Sequence, residues 1–394
     1  MSTADVGRRR AGDAAPLRVS WFELFYDLVI VASFAHSGHL IVGDLNGDRL
    51  TMALGAWLIC TFIVTFALWF STTTAINIAP GEVPLRKTLI FGQMIAVTIA
   101  NLALSRSDGL PDDWGFAGLT LAFATVTAIY TITWRQHSQL RSAVAPWMWS
   151  SAAAVALCCL GIAVPDDADS IEIVVFALAV GSVVGTIILV GIPRLCRLGL
   201  VEPEHLAERV GQLVIIVIGE SFLGLVLSLS GLDYIPGPAF FVLTFLVAGS
   251  LWAIYFTSVF PMGIPLTAGR WELWLLGVMV FLVGVSFLAE MLAAYTAMPW
   301  SQLQVPRSFT PLTAVYVLVG ALLLGWVGGA HRDIAYARIH LGALALLGVG
   351  WTAIVAAGSP TNLLLLLSAA VVIADGLACI ALSRLRAERS PTPG

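Results

Sequence analysis

His205-Leu-Ala-Glu-Arg-Val-Gly-Gln-Leu-Val-Ile-Ile-Val-Ile-Gly-Glu-Ser221 opens an apolar run of membrane-crossing length and carries a carboxylate, Glu220, into its middle. A charge at the centre of a bilayer costs roughly 2.5–3.5 kcal/mol on insertion scales. Glu220 must therefore be protonated, paired or turned toward a water-filled cavity. A second stretch, Glu23-Leu-Phe-Tyr-Asp-Leu-Val-Ile-Val-Ala-Ser-Phe-Ala-His-Ser-Gly-His39, repeats the design near the N-terminus. The two stretches together read as helices of an all-α polytopic membrane protein.

The rest of the chain agrees. Hydrophobic residues make up 59% and charged residues only 11%, with a mean hydropathy of +0.92, whereas soluble domains carry about a quarter charged residues. Apolar runs long enough for a hydrocarbon layer of about 30 Å occupy 21–42, 50–76, 88–105, 114–134, 146–164, 171–192, 206–230, 238–260, 271–297, 311–330, 337–358 and 361–383. The spacing predicts about twelve transmembrane helices joined by short, Pro-punctuated loops with no room for a soluble domain. With the N-terminus cytoplasmic, seventeen of the twenty Lys and Arg residues fall on inner segments. Arg49, Arg106 and Arg307 alone fall outside, as the positive-inside rule requires. Both termini inside needs an even number of spans, in keeping with twelve. The first twenty residues lack a cleavable signal pattern, so the first helix is expected to stay as an anchor.

A shift of 185 residues lays Glu23 on Glu208, Asp27 on Gln212, Leu28 on Leu213 and Val29-Ile30-Val31 on Val214-Ile215-Ile216. Leu68-Trp69 echoes Leu251-Trp252 at a slightly smaller shift. This predicts two parallel six-helix repeats, 20–192 and 193–384, between cytoplasmic tails at 1–19 and 385–394. Parallel repeats of this kind occur in transporters. Two Leu/Val/Ile-rich helices can also resemble each other by chance.

Polar residues inside the spans are the candidate site. Ser20 and Glu23 have the Ser-x-x-Glu spacing of a capping box, which is the favoured reading of Glu23. Asp27 lies about 6 Å deeper on the same face, beyond the reach of capping. It either faces a cavity or hydrogen-bonds a neighbouring helix. His36 and His39 are helical neighbours but lack a third ligand, so no metal is assigned to them. Glu208 and Arg209 fall at the cytoplasmic boundary, as an interfacial ion pair with a snorkelling arginine or as a gate together with His205. Glu220 lies near the midplane between Gly219 and Ser221, small residues that allow close helix approach. Glu290 and Asp375 are the remaining intramembrane acids. Glu220, Asp27, Glu23, His39, Ser221, Glu290 and Asp375 form the candidate polar pathway.

Other features read as structural. Gly181-x-x-x-Gly185 is a small-residue packing motif within the chain. Trp21, Trp114, Trp147, Trp271 and Trp300 read as interfacial anchors. The five cysteines, Cys60, Cys158, Cys159, Cys196 and Cys379, have no metal-ligand spacing and read as small core residues.

At its two polar helices the chain resembles the bacterial low temperature requirement protein A (LtrA) family. Glu23 through Val29, with His39-Leu40 downstream, is similar to the family's first signature. His205, Glu208, Arg209, Gly211, Gly219, Glu220 and Ser221 are similar to its second. His36 and Thr257 depart from the pattern. The resemblance covers about 18 to 385 and implies an inner-membrane protein linked by name to growth in the cold. A fainter likeness, in the Glu-x-Phe-x-Asp pattern, is to a potassium channel family of two six-helix repeats, where Ser usually stands at the position of Tyr26.

The expectation is a multi-pass inner-membrane protein that moves a small ion or solute. A sensor or scaffold is the alternative, as is a membrane enzyme using His36, His39 and Glu220. No catalytic residue is assigned, because the chain lacks H-E-x-x-H, a nucleophile elbow and a phosphate-binding glycine loop. No cofactor is expected. The expected partners are the lipid bilayer and the transported species, with homo-oligomers possible and nucleic acid excluded.

Overall fold

The computed structural model describes residues 19–45, 52–80, 83–104, 113–164, 169–230, 238–265, 267, 269–297, 314–315, 317–324, 334–358 and 362–389 of the 394. The side chains of 34–45, 52–60, 104, 169–170, 221–222, 224–230, 238–240, 289–297, 334, 362 and 389 fall outside that description, and those of His36, His39, Ser221 and Glu290 are among them. The described residues form helices and no strand. They are α1 (Trp21–Leu45), α2 (Met52–Ile78), α3 (Pro84–Leu104), α4 (Asp113–Gln136), α5 (Arg141–Ile162) and α6 (Asp169–Thr186). A π-helical turn, Ile187–Gly191, joins α6 to α7 (Ile192–Leu198). Then follow α8 (Pro203–Ser230), α9 (Pro238–Ala253) with a π-helical continuation Ile254–Val259, α10 (Arg270–Ala297), α11 (Ile334–Ala356) and α12 (Asn362–Arg389). Residues 314–315 and 317–324 are helical as well.

Each apolar run expected to cross the bilayer holds helix among its described residues, and all but 311–330, described only at 314–315 and 317–324, end within six residues of the expected bounds. Among the described residues, eight helical stretches are long and apolar enough to span a membrane. Helices suit that environment because they satisfy every backbone donor and acceptor internally. The distribution of side chains inverts that of a soluble protein. Leu189 and Val349 are 77% and 71% exposed, while Thr72, Thr73, Asn77, Gln93 and Arg209 are buried.

The described residues divide into two compact units. One takes those within Met1–Leu40, Thr51–Arg209 and Leu266–Glu272, and the other those within Ile41–Leu50, Val210–Pro265 and Leu273–Gly394. In the first unit α2 packs on α4 and α6, and α3 through α6 pack each on the next. The stretch Thr61–Ile78 is the most enclosed of the spans. In the second unit α12 packs on α9, its π-helical continuation and α11.

Close approach is set by particular glycines. A Cβ on Gly118 would lie 2.6 Å from the Ala100 backbone nitrogen, so α3 and α4 meet backbone to backbone. In the second unit a Cβ on Gly320 would lie 2.5 Å from the Phe281 nitrogen. Gly181 and Gly185, expected to pack within the chain, do not: a Cβ on either meets nothing within 4 Å, and nor does one on Gly219. A small residue permits an approach but does not compel one, and α6 turns a different face to its neighbours.

The tryptophans also divide. Trp21 and Trp114 are 87% and 70% exposed at helix starts, consistent with anchoring. Trp147 and Trp271 are instead sealed in the first unit. Trp147 stacks on Tyr130 with centroids 5.7 Å apart, and both tryptophans pack on Phe70. Gly191, at the end of the π-helical turn, makes room for the Trp147 ring, which a Cβ would meet at 2.6 Å. Trp300 lies outside the described residues. Cys158 and Cys379 are buried, whereas Cys159 faces outward.

Candidate functional site

The start of α1 forms the expected capping box. The Ser20 N–H donates to Glu23 Oε2 at 2.7 Å and the Glu23 N–H donates to Ser20 Oγ at 3.3 Å. Capping engages one carboxylate oxygen and leaves Oε1 available. One turn further on, Asp27 presents its carboxylate from the same face.

Helix α8 is aimed at this face by its own start. Gly199, at φ +58°, ends α7 with its N–H on the Cys196 carbonyl, the left-handed stop for which glycine carries no Cβ penalty. Pro203 then opens α8, where its missing N–H costs nothing. Between them Asn77, at the end of α2, clamps the backbone of Glu202. Its Oδ1 accepts the Glu202 N–H at 2.7 Å and its Nδ2 donates to the Glu202 carbonyl at 3.1 Å.

The clamp also assigns a histidine tautomer. Asn77 Nδ2 lies 3.2 Å from His205 Nδ1. The amide orientation is imposed by Glu202, so Nδ2 is the donor, Nδ1 the acceptor, and the ring proton sits on Nε2. That nitrogen lies 3.5 Å from Glu23 Oε1.

Arg209, one turn beyond His205, is fully buried. Its Nη1 donates to Glu23 Oε1 at 2.9 Å, its Nη2 to Asp27 Oδ1 at 2.5 Å and its Nε to Asp27 Oδ2 at 3.0 Å. Trp69 of α2 adds a further donor to Asp27 Oδ1 at 2.6 Å. The planar guanidinium fork matches a carboxylate edge in a way an ammonium cannot. Arg86, buried at the start of α3, donates from Nη1 to the Ala79 carbonyl at 2.5 Å, and its charge acts on Glu23. Two carboxylates and two guanidiniums therefore balance at the end of the unit where α1 and α8 begin and α2 ends.

Deeper along α2 lies a second polar feature, Ser71-Thr72-Thr73-Thr74, buried throughout. Thr72 donates to Gln93 Oε1 at 2.9 Å, and the Tyr130 hydroxyl donates to the Ser71 carbonyl at 2.8 Å. Ser71 Oγ, Thr73 Oγ1, Thr74 Oγ1 and Gln93 Nε2 have no partner among the described residues. Buried polar atoms left in this way call for water or a bound species.

The structure brings Glu23, Asp27, His205 and Arg209 into one network. Arg209 does not snorkel and does not pair with Glu208. Adjacent residues on a helix point about 100° apart, so Arg209 enters the unit while Glu208 is exposed. Asp27 hydrogen-bonds across helices, to Trp69 and Arg209, the second of the two readings open to it. Glu220 is half-buried and makes no hydrogen bond among the described residues. Asp375, in the second unit, pairs with His340. The side chains of His39, Ser221 and Glu290 lie outside the described residues.

Sequence reasoning missed Trp69, Asn77, Arg86, His340 and the hydroxyl run. Four consecutive Ser/Thr residues inside an apolar span were a usable signal. Nothing in the sequence marked Trp69 or Asn77 as partners of residues more than forty positions away.

No curated protein and no solved structure matches the chain. The model of one family, described as bacterial low temperature requirement A protein (LtrA), matches residues 18–378 and so takes in both polar helices and the whole acid–arginine network. The chain belongs to the LtrA family.

Proposed function

We propose that the protein moves a small ion or solute across the membrane, with the Glu23–Asp27–Arg209–His205 network as its gate. The observation that carries this reading is a fully buried arginine held by two carboxylates inside membrane helices. Such a network is poor value as a stabiliser, since apolar side chains of similar volume stabilise as well or better. A balanced set of charges that can re-pair is, by contrast, a two-state element. The α2 hydroxyls that have no partner among the described residues supply hydrogen-bonding groups for a hydrated path in the same unit. Glu220, about 16 Å further along α8 than Arg209, is assigned to the deeper part of the path, and Glu290, Asp375, His39 and Ser221 remain candidates for its lining.

The same proposal includes twelve crossings in two parallel six-helix repeats, an inner-membrane location, cytoplasmic termini, possible homo-oligomers and a role in growth at low temperature. The backbone contacts at Gly118 and at Gly320 favour the repeat, because each joins the third and fourth helices of its proposed half.

Flux into proteoliposomes, measured across a panel of monovalent and divalent cations, protons and small neutral solutes, tests the proposal. The wild type is expected to pass at least one species well above empty vesicles, and Asp27→Asn to change that rate at least tenfold in either direction. Folded wild type with no flux above empty vesicles for any species would sink the transport reading in favour of a sensor or scaffold.

A further inference from the structure

The second unit holds a cluster of buried ligand-type side chains among its described residues. We propose that His340, Asp375 and Cys379 bind one zinc ion between α11 and α12. Asp375 and Cys379 are four residues apart on α12 and so share a face. His340 reaches them from α11, which packs on α12. All three are buried, at 0%, 2% and 0% exposure, and their ligand atoms lie within 4.8 Å of one another. His340 Nδ1 is 2.8 Å from Asp375 Oδ2 and 3.0 Å from Oδ1.

The donor set selects the ion. A thiolate sulfur with one imidazole nitrogen disfavours magnesium and calcium, which take oxygen ligands. Nitrogen, sulfur and carboxylate together suit zinc, at bond lengths of about 2.0–2.3 Å. Those lengths place tetrahedral ligand atoms about 3.2–3.8 Å apart, a spacing reached here by opening the His340–Asp375 pair slightly and closing the sulfur toward it. Neither imidazole nitrogen is committed elsewhere: Nδ1 faces Asp375, and Nε2 has no partner among the described residues.

Charge favours occupancy as well. With the thiol proton released, a zinc dication, a carboxylate, a thiolate and a neutral imidazole sum to zero. The buried site thus takes the ion without a net charge in a low-dielectric interior. The surroundings hold the sulfur in place. Ser258, on the π-helical turn Ile254–Val259, donates to the Ile254 carbonyl, and its hydroxyl acts on the Cys379 sulfur. Gly376 lets α12 approach the Ser250 backbone, which a Cβ would meet at 2.7 Å.

The test is metal binding by the purified full-length protein in detergent, read without any transport assay. After equilibration with zinc and removal of excess, the wild type is expected to retain about one zinc per chain, held by three protein ligands with the fourth position of the tetrahedron open. Replacing zinc by cobalt(II) should give a sulfur-to-cobalt charge-transfer band. Cys379→Ser should abolish that band. His340→Gln should weaken binding at least as much as the roughly 10–100-fold that loss of a supporting residue costs. Glu208→Gln should leave binding unchanged. The site is refuted if the wild type retains no stoichiometric zinc, if its cobalt form lacks the sulfur band, or if Cys379→Ser binds as the wild type does. Because the wild-type spectrum alone can refute the site, the test does not depend on the variants folding.

Discussion

Removing the Arg209 guanidinium leaves Glu23 and Asp27 with a buried surplus of negative charge. Breaking a buried pair by deleting one partner costs about 3–5 kcal/mol, so Arg209→Met is expected to lower the thermal midpoint sharply in detergent. Arg209→Lys should recover only part of the loss, since the three donors of an ammonium diverge from one nitrogen and cannot lie along the Asp27 edge while also reaching Glu23 as the planar fork does. The doubly altered Asp27→Asn, Arg209→Gln protein should be less damaged than the two single losses predict, with a coupling of about 0.5–3 kcal/mol. Additive losses in that cycle would mean that the two side chains do not act as a pair. At this scale the sequence was half legible. The placement of His205 and Arg209 on one helical face follows from their spacing of four, and so does that of Glu23 and Asp27. That the two faces meet does not follow, because 182 positions separate Asp27 from Arg209.

Helices α3 and α4 touch where Gly118 lacks a side chain, and the α10 backbone is touched at Phe281 where Gly320 lacks one. Gly118→Leu and Gly320→Leu must push backbones apart, beyond the roughly 1–3 kcal/mol of ordinary overpacking. Each is expected to cost most of the folded yield in detergent, judged by size-exclusion profile. Gly181→Leu, with open space around its Cβ, should elute as the wild type does. If Gly181→Leu proved as harmful as Gly118→Leu, the packing of α6 described here would be wrong. Helix extents were readable from apolar run length, because a bilayer imposes nearly the same length on every span. Which side of each helix packs was not readable. An apolar residue suits both a lipid tail and a protein core, so Trp147 and Trp271 pass equally well for interfacial anchors and for the core residues they are.

For the molecule as a whole, the distribution of Lys and Arg predicts sidedness. Reporter fusions at Arg86, Arg141, Arg270 and the C-terminus should be active only as cytoplasmic reporters, and fusions at Asp108 and Asp166 only as external ones. An external C-terminus would remove the even count of crossings and the parallel repeat with it. Membrane residence, helical class and approximate spans were determined by the sequence alone, because hydrocarbon penalises every unpaired backbone group and every uncompensated charge regardless of what lies beside it. The identity of the partners was decided only by tertiary structure. Arg209 with Asp27, Trp69 with Asp27, Asn77 with Glu202, and His340 with Asp375 are each pairings between different helices. Apolar periodicity says that a helix has neighbours, but hydrogen-bond geometry between side chains exists only once the helices are placed.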